Sequence, residues 1–156
     1  MLNMGEHGEL YKVADQAVTV TVSGTAYPIT NLVAGDSRYT VLDAANGRIK
    51  LAKGKHLVRA HVGVVCATGA QPVSLYIATR DNGTTANVAK SRAKGVADVN
   101  TADPTCVTSE CIVTSDGDTE VLVQIANDGN TDNLTVKSIQ FLAIGLDTQP
   151  PRPGTP

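Results

Sequence analysis

Two stretches, Gly47–Val65 (GRIKLAKGKHLVRAHVGVV) and Asn133–Leu146 (NLTVKSIQFLAIGL), decide the fold of this 156-residue chain. Asn46-Gly47 opens the first as a hairpin-turn pair, because both residues tolerate positive φ. Ile49 and Leu51 then share a face, and Lys53-Gly54-Lys55 turns the chain into a longer strand. In that strand Val58, Ala60, Val62 and Val64 fall on one face and Arg59 and His61 on the other, the two-residue period of a half-buried strand. The second stretch differs, because from Ser138 to Leu146 both phases are apolar. Ile139, Phe141 and Ala143 occupy one phase, and Leu142, Ile144 and Leu146 the other.

The same period recurs between them. Val73, Leu75 and Ile77 alternate with polar neighbours, as do Val121, Val123 and Ile125, and Thr105–Thr114 is a further strand segment. Turns follow at Asp81-Asn82-Gly83, Ser115-Asp116-Gly117-Asp118 and Asn127-Asp128-Gly129-Asn130. Thr84–Ser91 and Val96–Asn100 are more polar and read as outer or edge strands, and Lys90–Asp98 can hold a turn of helix. Upstream, Ala17–Ser23 (AVTVTVS) alternates strictly and Gly24 closes it. Tyr27–Val33 reads as an edge strand because Pro28 cannot donate to a ladder. Ala34-Gly35-Asp36-Ser37 reads as a turn, followed by a strand at Arg38–Leu42. Many short strands punctuated by turns predict an all-β, antiparallel two-sheet sandwich over residues 17–146. Residues 1–16 carry no period and read as an extended N-terminal arm. Residues 147–156 form a Pro-rich C-terminal tail.

A strand with two apolar faces needs cover on both. One face of the last strand meets the opposite sheet. The other needs a neighbouring subunit or the chain's own N-terminal arm.

Composition narrows the function classes. Apolar residues make up 42% of the chain, yet there is no Trp, one Phe and four Tyr, so aliphatic side chains must fill the core. A net charge of −2 lacks the basic surplus that nucleic-acid binding requires. No apolar run is long enough to predict a membrane helix. The start MLNMGEHGEL has neither a basic nor an apolar signal region, so no signal peptide is expected. Cys66, Cys106 and Cys111 form a sparse, odd set suited to a reducing compartment. Cys106 and Cys111 fall on opposite faces of a strand unless a bulge or loop intervenes, which makes buried or half-buried free thiols the expectation and a strained disulfide the alternative.

No chemistry-bearing constellation emerges, and no catalytic, cofactor or metal residue is assigned. Gly47…Gly54-Lys55 has the wrong spacing for a phosphate loop, and His56 stands where Ser or Thr would bind magnesium. Asp128–Asp132 opens like a calcium loop but has Asn133 in place of the required Gly and Ile139 in place of the bidentate Glu. His56 and His61, an odd number apart, point to opposite faces of a strand.

The order NGRIKLAKGKHLVRAHVGVV, VSLYIATRDNG, SECIVTSDGDTEVLVQIANDGN, SIQFLAIGL resembles the C1q/tumour-necrosis-factor-like jelly roll. Gly47, Gly54, Gly117, Asp118 and Phe141 carry the resemblance over about residues 38–146, and His56 stands where the family usually has an aromatic. The resemblance implies a homotrimer with the last strand near the threefold axis, and Ile139, Phe141, Ala143 and Tyr76 are the expected trimer-interface residues. A domain of this kind without a secretion signal or collagen stalk resembles those used on phage virions. The expected function is therefore a trimeric capsid decoration (cement) protein bound to the major capsid protein on the outside of a phage head. It would be made in the host cytoplasm, with no nucleic-acid or membrane partner. Leu2, Met4, His7, Leu10 and Tyr11 of the arm are the expected capsid contacts, the alternative for the arm being a floppy terminus. The alternative function is a fibre or receptor-binding module using Tyr39 and Tyr76 for stacking.

Overall fold

Alternation along the chain becomes two facing sheets in the computed structural model, which describes residues 5–99 and 102–146. The strands are β1 (His7–Lys12), β2 (Gln16–Val18), β3 (Ala26–Pro28), β4 (Val33–Arg38), β5 (Val41–Asp43), β6 (Arg48–Lys50), β7 (Gly54–Val65), β8 (Gln71–Asp81), β9 (Thr84–Asn87), β10 (Ala93–Ala97), β11 (Thr105–Ser115), β12 (Glu120–Asn127) and β13 (Leu134–Gly145). The first sheet runs β11-β7-β13-β1-β4, with β2 continuing beside β13. The second runs β10-β8-β12-β6-β5, with β3 beside β12 and β9 beside β8. All of these strand pairs are antiparallel.

The inward phases meet as one core. Val58, Ala60, Val62 and Val64 of β7 and Val121, Val123 and Ile125 of β12 are buried as their alternation requires, and Ile49, Leu51, Val73, Leu75 and Ile77 join them. Phe141 is among the largest fully buried side chains. Burial of each such aliphatic group contributes roughly 1.5–3 kcal/mol, which lets a core poor in aromatics suffice.

Two turns depend on glycine for different reasons. At the β5–β6 turn Gly47 has φ of 65°, and a Cβ there would lie 2.2 Å from the Ile29 carbonyl oxygen. At the β8–β9 turn Asn82 and Gly83 both have positive φ (48° and 83°), but a Cβ on Gly83 would meet nothing nearer than 3.8 Å. Gly47→Ala therefore adds a backbone clash to the left-handed penalty and should cost at least about 2 kcal/mol, whereas Gly83→Ala should cost about 1 kcal/mol. Thermal melts of the two variants side by side check the order.

Four expectations are corrected. The extended arm is instead a strand inside the sheet: β1 lies between β13 and β4, with Leu10 fully buried in the core. The sandwich thus begins at β1 and not at residue 17. Leu2, Met4 and the tail from residue 147 lie outside the described residues. The strand expected over Ala17–Ser23 keeps only its first part, β2. Beyond it the Val20 N–H donates to Asn133 Oδ1 at 2.9 Å, and the Thr21 and Val22 N–H groups donate to the Tyr27 hydroxyl at 3.2 and 2.9 Å. Side chains have taken the amides a ladder would use, and Val22 is left exposed. The turn expected at Ala34–Ser37 is edge strand β4, whose pairing with β1 shifts register between Gly8 and Leu10. Its glycine and small polar residues suit an exposed, bulged edge. The strand expected over Arg38–Leu42 is broken at Tyr39, where φ is 60°, and resumes as β5. The helical turn allowed near Lys90 is a single 3₁₀ turn at Ala89–Ser91.

Candidate functional site

β13 is the centre of the first sheet, and its two phases have different fates. Ile139, Phe141 and Ala143 are no more than 2% exposed and pack into their own chain's core. They cannot present side chains to a partner, so the interface expected of them is corrected. Tyr76 lies on β8 in the other sheet, half-buried on the phase opposite Leu75 and Ile77, with the Arg92 guanidinium 5.8 Å from its ring centre. The four residues therefore form no common surface. The phase of β13 left to the outside is Gln140, Leu142, Ile144 and Leu146, with Ile144 42% and Leu146 52% exposed.

Strand register assembles the rest of that outer face in rows. Ile112 of β11 lies opposite Leu57 of β7, Leu57 opposite Ile144, and Ile144 opposite His7 of β1. One residue pair along, Glu110, Arg59, Leu142 and Glu9 follow in the same order, and then Thr108, His61, Gln140 and Tyr11. The first row is apolar almost throughout. The second carries an ion pair, Arg59 to Glu110, with Nε and Nη2 at 2.7 and 2.5 Å from one carboxylate oxygen. The third is polar, with His61 Nδ1 2.7 Å from Thr108 Oγ1, and Gln140 Nε2 reaches back to Glu9 at 3.0 Å. Exposed ion pairs of this kind contribute between nothing and about 1 kcal/mol, so they set orientation more than stability.

Among the described residues eleven large apolar side chains are exposed, and Tyr11, Val13, Val33, Ile112, Ile144 and Leu146 of this one face account for six. Concentration on one face is unlike the scattered exposure of an ordinary surface. A shallow groove of about 420 Å³ crosses it, lined by His7, Gly8, Glu9, Asp36, Leu142 and Ile144. Of the residues expected in a capsid-binding arm, His7 and Tyr11 belong to this face and Leu10 to the core.

Leu57 and Ile112 were not singled out from the sequence. Their signal was available, an apolar residue on the polar phase of an otherwise alternating strand. His56 and His61 diverge as their spacing requires: His61 is exposed on the outer face, while His56 is fully buried with its Nε2 2.9 Å from the Glu6 carboxylate.

The fold matches known domains. The structure superposes on the Eiger tumour necrosis factor of S. frugiperda with a TM-score of 0.64 at 9% identity, covering 97% of this chain and 99% of that one. Murine APRIL at pH 5.0 gives 0.61 at 11% identity, covering 91% and 99%. The globular domain of the zebrafish complement 1qA protein gives 0.60 at 9% identity, covering 92% and 99%. The fold is C1q/tumour-necrosis-factor-like. This jelly roll covers almost the whole of the chain, and the resemblance read from the strand-and-turn order is thereby matched at the level of fold. No family model matches the sequence, and no curated protein matches it.

The C1q/tumour-necrosis-factor-like sandwich also sorts the cysteines. Cys106 points outward and is exposed, Cys66 and Cys111 are buried, and all three are free thiols. Burial pushes the Cys111 thiol up from its usual range, against the opposing pull of Lys90. Its thiolate is therefore scarce at neutral pH. Iodoacetamide at pH 7 should leave Cys66 and Cys111 unmodified in the folded protein and alkylate both after unfolding, as read by mass spectrometry of peptides.

Proposed function

We propose that the protein works by assembly and not by catalysis, as a homotrimeric decoration (cement) protein on the outside of a phage head. The observation that carries the assembly is the apolar row Ile112, Leu57 and Ile144 on the outer face of the first sheet, continued by the exposed Leu146. A closed ring of three repeats one heterologous contact three times, in which each chain supplies two different patches, and this row is one of them. The interface residues on this reading are Leu57, Ile112, Leu142 and Ile144, in place of Ile139, Phe141 and Ala143. Three identical attachment points would then multiply a modest contact with the major capsid protein by avidity. The virion setting is supported by the sequence resemblance alone. Attachment does not run through His7–Tyr11 as a free arm, because that segment is a strand of the sheet.

Sedimentation equilibrium tests assembly: a mass about three times the 16.2 kDa chain supports it, and a clean monomer removes it. Co-sedimentation with undecorated phage heads tests the partner. Saturable binding supports decoration, and its absence with an intact trimer removes the capsid from the account. The stacking tyrosines of a receptor-binding module gain no support: each carries an arginine guanidinium over its ring, Arg38 at 5.1 Å from Tyr39 and Arg92 at 5.8 Å from Tyr76.

A further inference from the structure

Glu6 and His56 are the one pair of acid and imidazole side chains sealed inside the sandwich among the described residues, at 2% and 0% exposure. Glu6 is a hub. Its Oε1 accepts the Ala52 N–H at 2.8 Å, its backbone oxygen accepts the Gly145 N–H at 2.8 Å, and its Oε2 lies 2.9 Å from His56 Nε2. The contact is off the hydrogen-bonding direction, and His56 Nδ1 has no hydrogen-bond partner. In the closed sandwich, removing either partner leaves the other buried without its counterpart, so loss of one destabilises the closed position of β1.

What the pair holds is β1. Leu10 is the only residue of β1 in the hydrophobic core, whereas β7 sends in Val58, Ala60, Val62 and Val64, and β13 five residues including Phe141. On the far side β1 is backed only by β4, which contributes nothing to that core. No hairpin turn ties β1 to either neighbour in the sheet, since β13 lies at the other end of the chain and β2 and β3 intervene before β4.

We propose that Glu6 and His56 form an internal latch, and that β1 with β4 is a strap which opens as a unit before the rest of the sandwich unfolds. Opening would withdraw His7, Glu9 and Tyr11 from the outer face and bare the β13 edge from Ile139 to Ile144. The latch is thus a conformational control on that surface. It does not depend on trimer formation, and a monomeric mass would leave it standing.

Native-state hydrogen exchange tests it on the unmodified protein, with sedimentation run at the same concentration. β1 amides should exchange through an opening with a smaller denaturant dependence than β12 amides, which mark global unfolding. Exchange of both through one global opening would overturn the strap. Glu6→Gln, and independently His56→Phe, should then speed β1 exchange about tenfold or more while β12 changes by less than about threefold. Equal acceleration of β1 and β12, or an unchanged β1, would overturn the latch. If neither variant folds, the denaturant dependence measured on the wild-type chain still decides whether β1 opens alone.

Discussion

On the proposed assembly, Ile144→Glu should yield a 16.2 kDa monomer while leaving the chain folded. Ile144 is 42% exposed in the single chain, between Leu57 and His7, so a carboxylate there stays in water and the melting temperature moves little. In a trimer the same group would be buried against an apolar row without a partner. That penalty is on the order of 3 kcal/mol per contact, and a tenfold loss in affinity for each 1.4 kcal/mol makes the contact at least about a hundredfold weaker. Sedimentation equilibrium over a concentration series reads the shift, and a melting curve separates it from misfolding. If the variant kept the trimer mass, the first sheet's outer face would not be the interface.

Phe141→Ala should act in the opposite way, on stability first. Phe141 is fully buried and is the only phenylalanine in a chain without tryptophan, so no neighbour of similar size can close the void. Truncating a buried Phe costs about 3–5 kcal/mol, a large part of a typical total of about 5–15 kcal/mol. At roughly 2–4 °C per kcal/mol for a chain of this length, the melting temperature should fall by about 6–20 °C. Denaturant unfolding at concentrations that keep wild type and variant in the same assembly state measures it. A loss of assembly with no loss of chain stability would return Phe141 to the subunit contact.

These two residues sit three apart on one strand, and they mark where sequence reading reached its limit. Two apolar phases in Ser138–Leu146 were legible, and so was the need for two partners. Which phase faced the chain's own core was not, because a period of two distinguishes two faces without labelling them. The register against β7 supplies the label. β1 was missed for a related reason: HGELYK has one inward hydrophobe, a glycine and a lysine, so it shows no alternation. Its place in the sheet comes from lateral pairing with a strand at the far end of the chain. AVTVTVS failed the other way, with a strict period that the side chains of Asn133 and Tyr27 cut short. The contact of Glu6 with His56 joins residues fifty positions apart with no local signal. Where turn chemistry and alternation agreed, as at Asn46-Gly47 and Asp81-Asn82-Gly83, reading and structure coincide, and the two-sheet architecture followed from those places.

The position of β13 also governs how the molecule can be made. Among the described residues β13 is the last strand in chain order, yet it lies between β7 and β1 at the centre of the first sheet. A nascent chain can complete the β8–β12 pairing of the second sheet while β13 is still being synthesised. During that interval β7 and β1 have no strand between them, and Val58–Val64 lack the inward cover of Phe141 and its neighbours. Closure of the sandwich therefore waits for β13 and runs over a long loop, slow by topology and exposed to aggregation until it happens. Lowering the temperature or supplying a holdase should raise the yield of soluble protein.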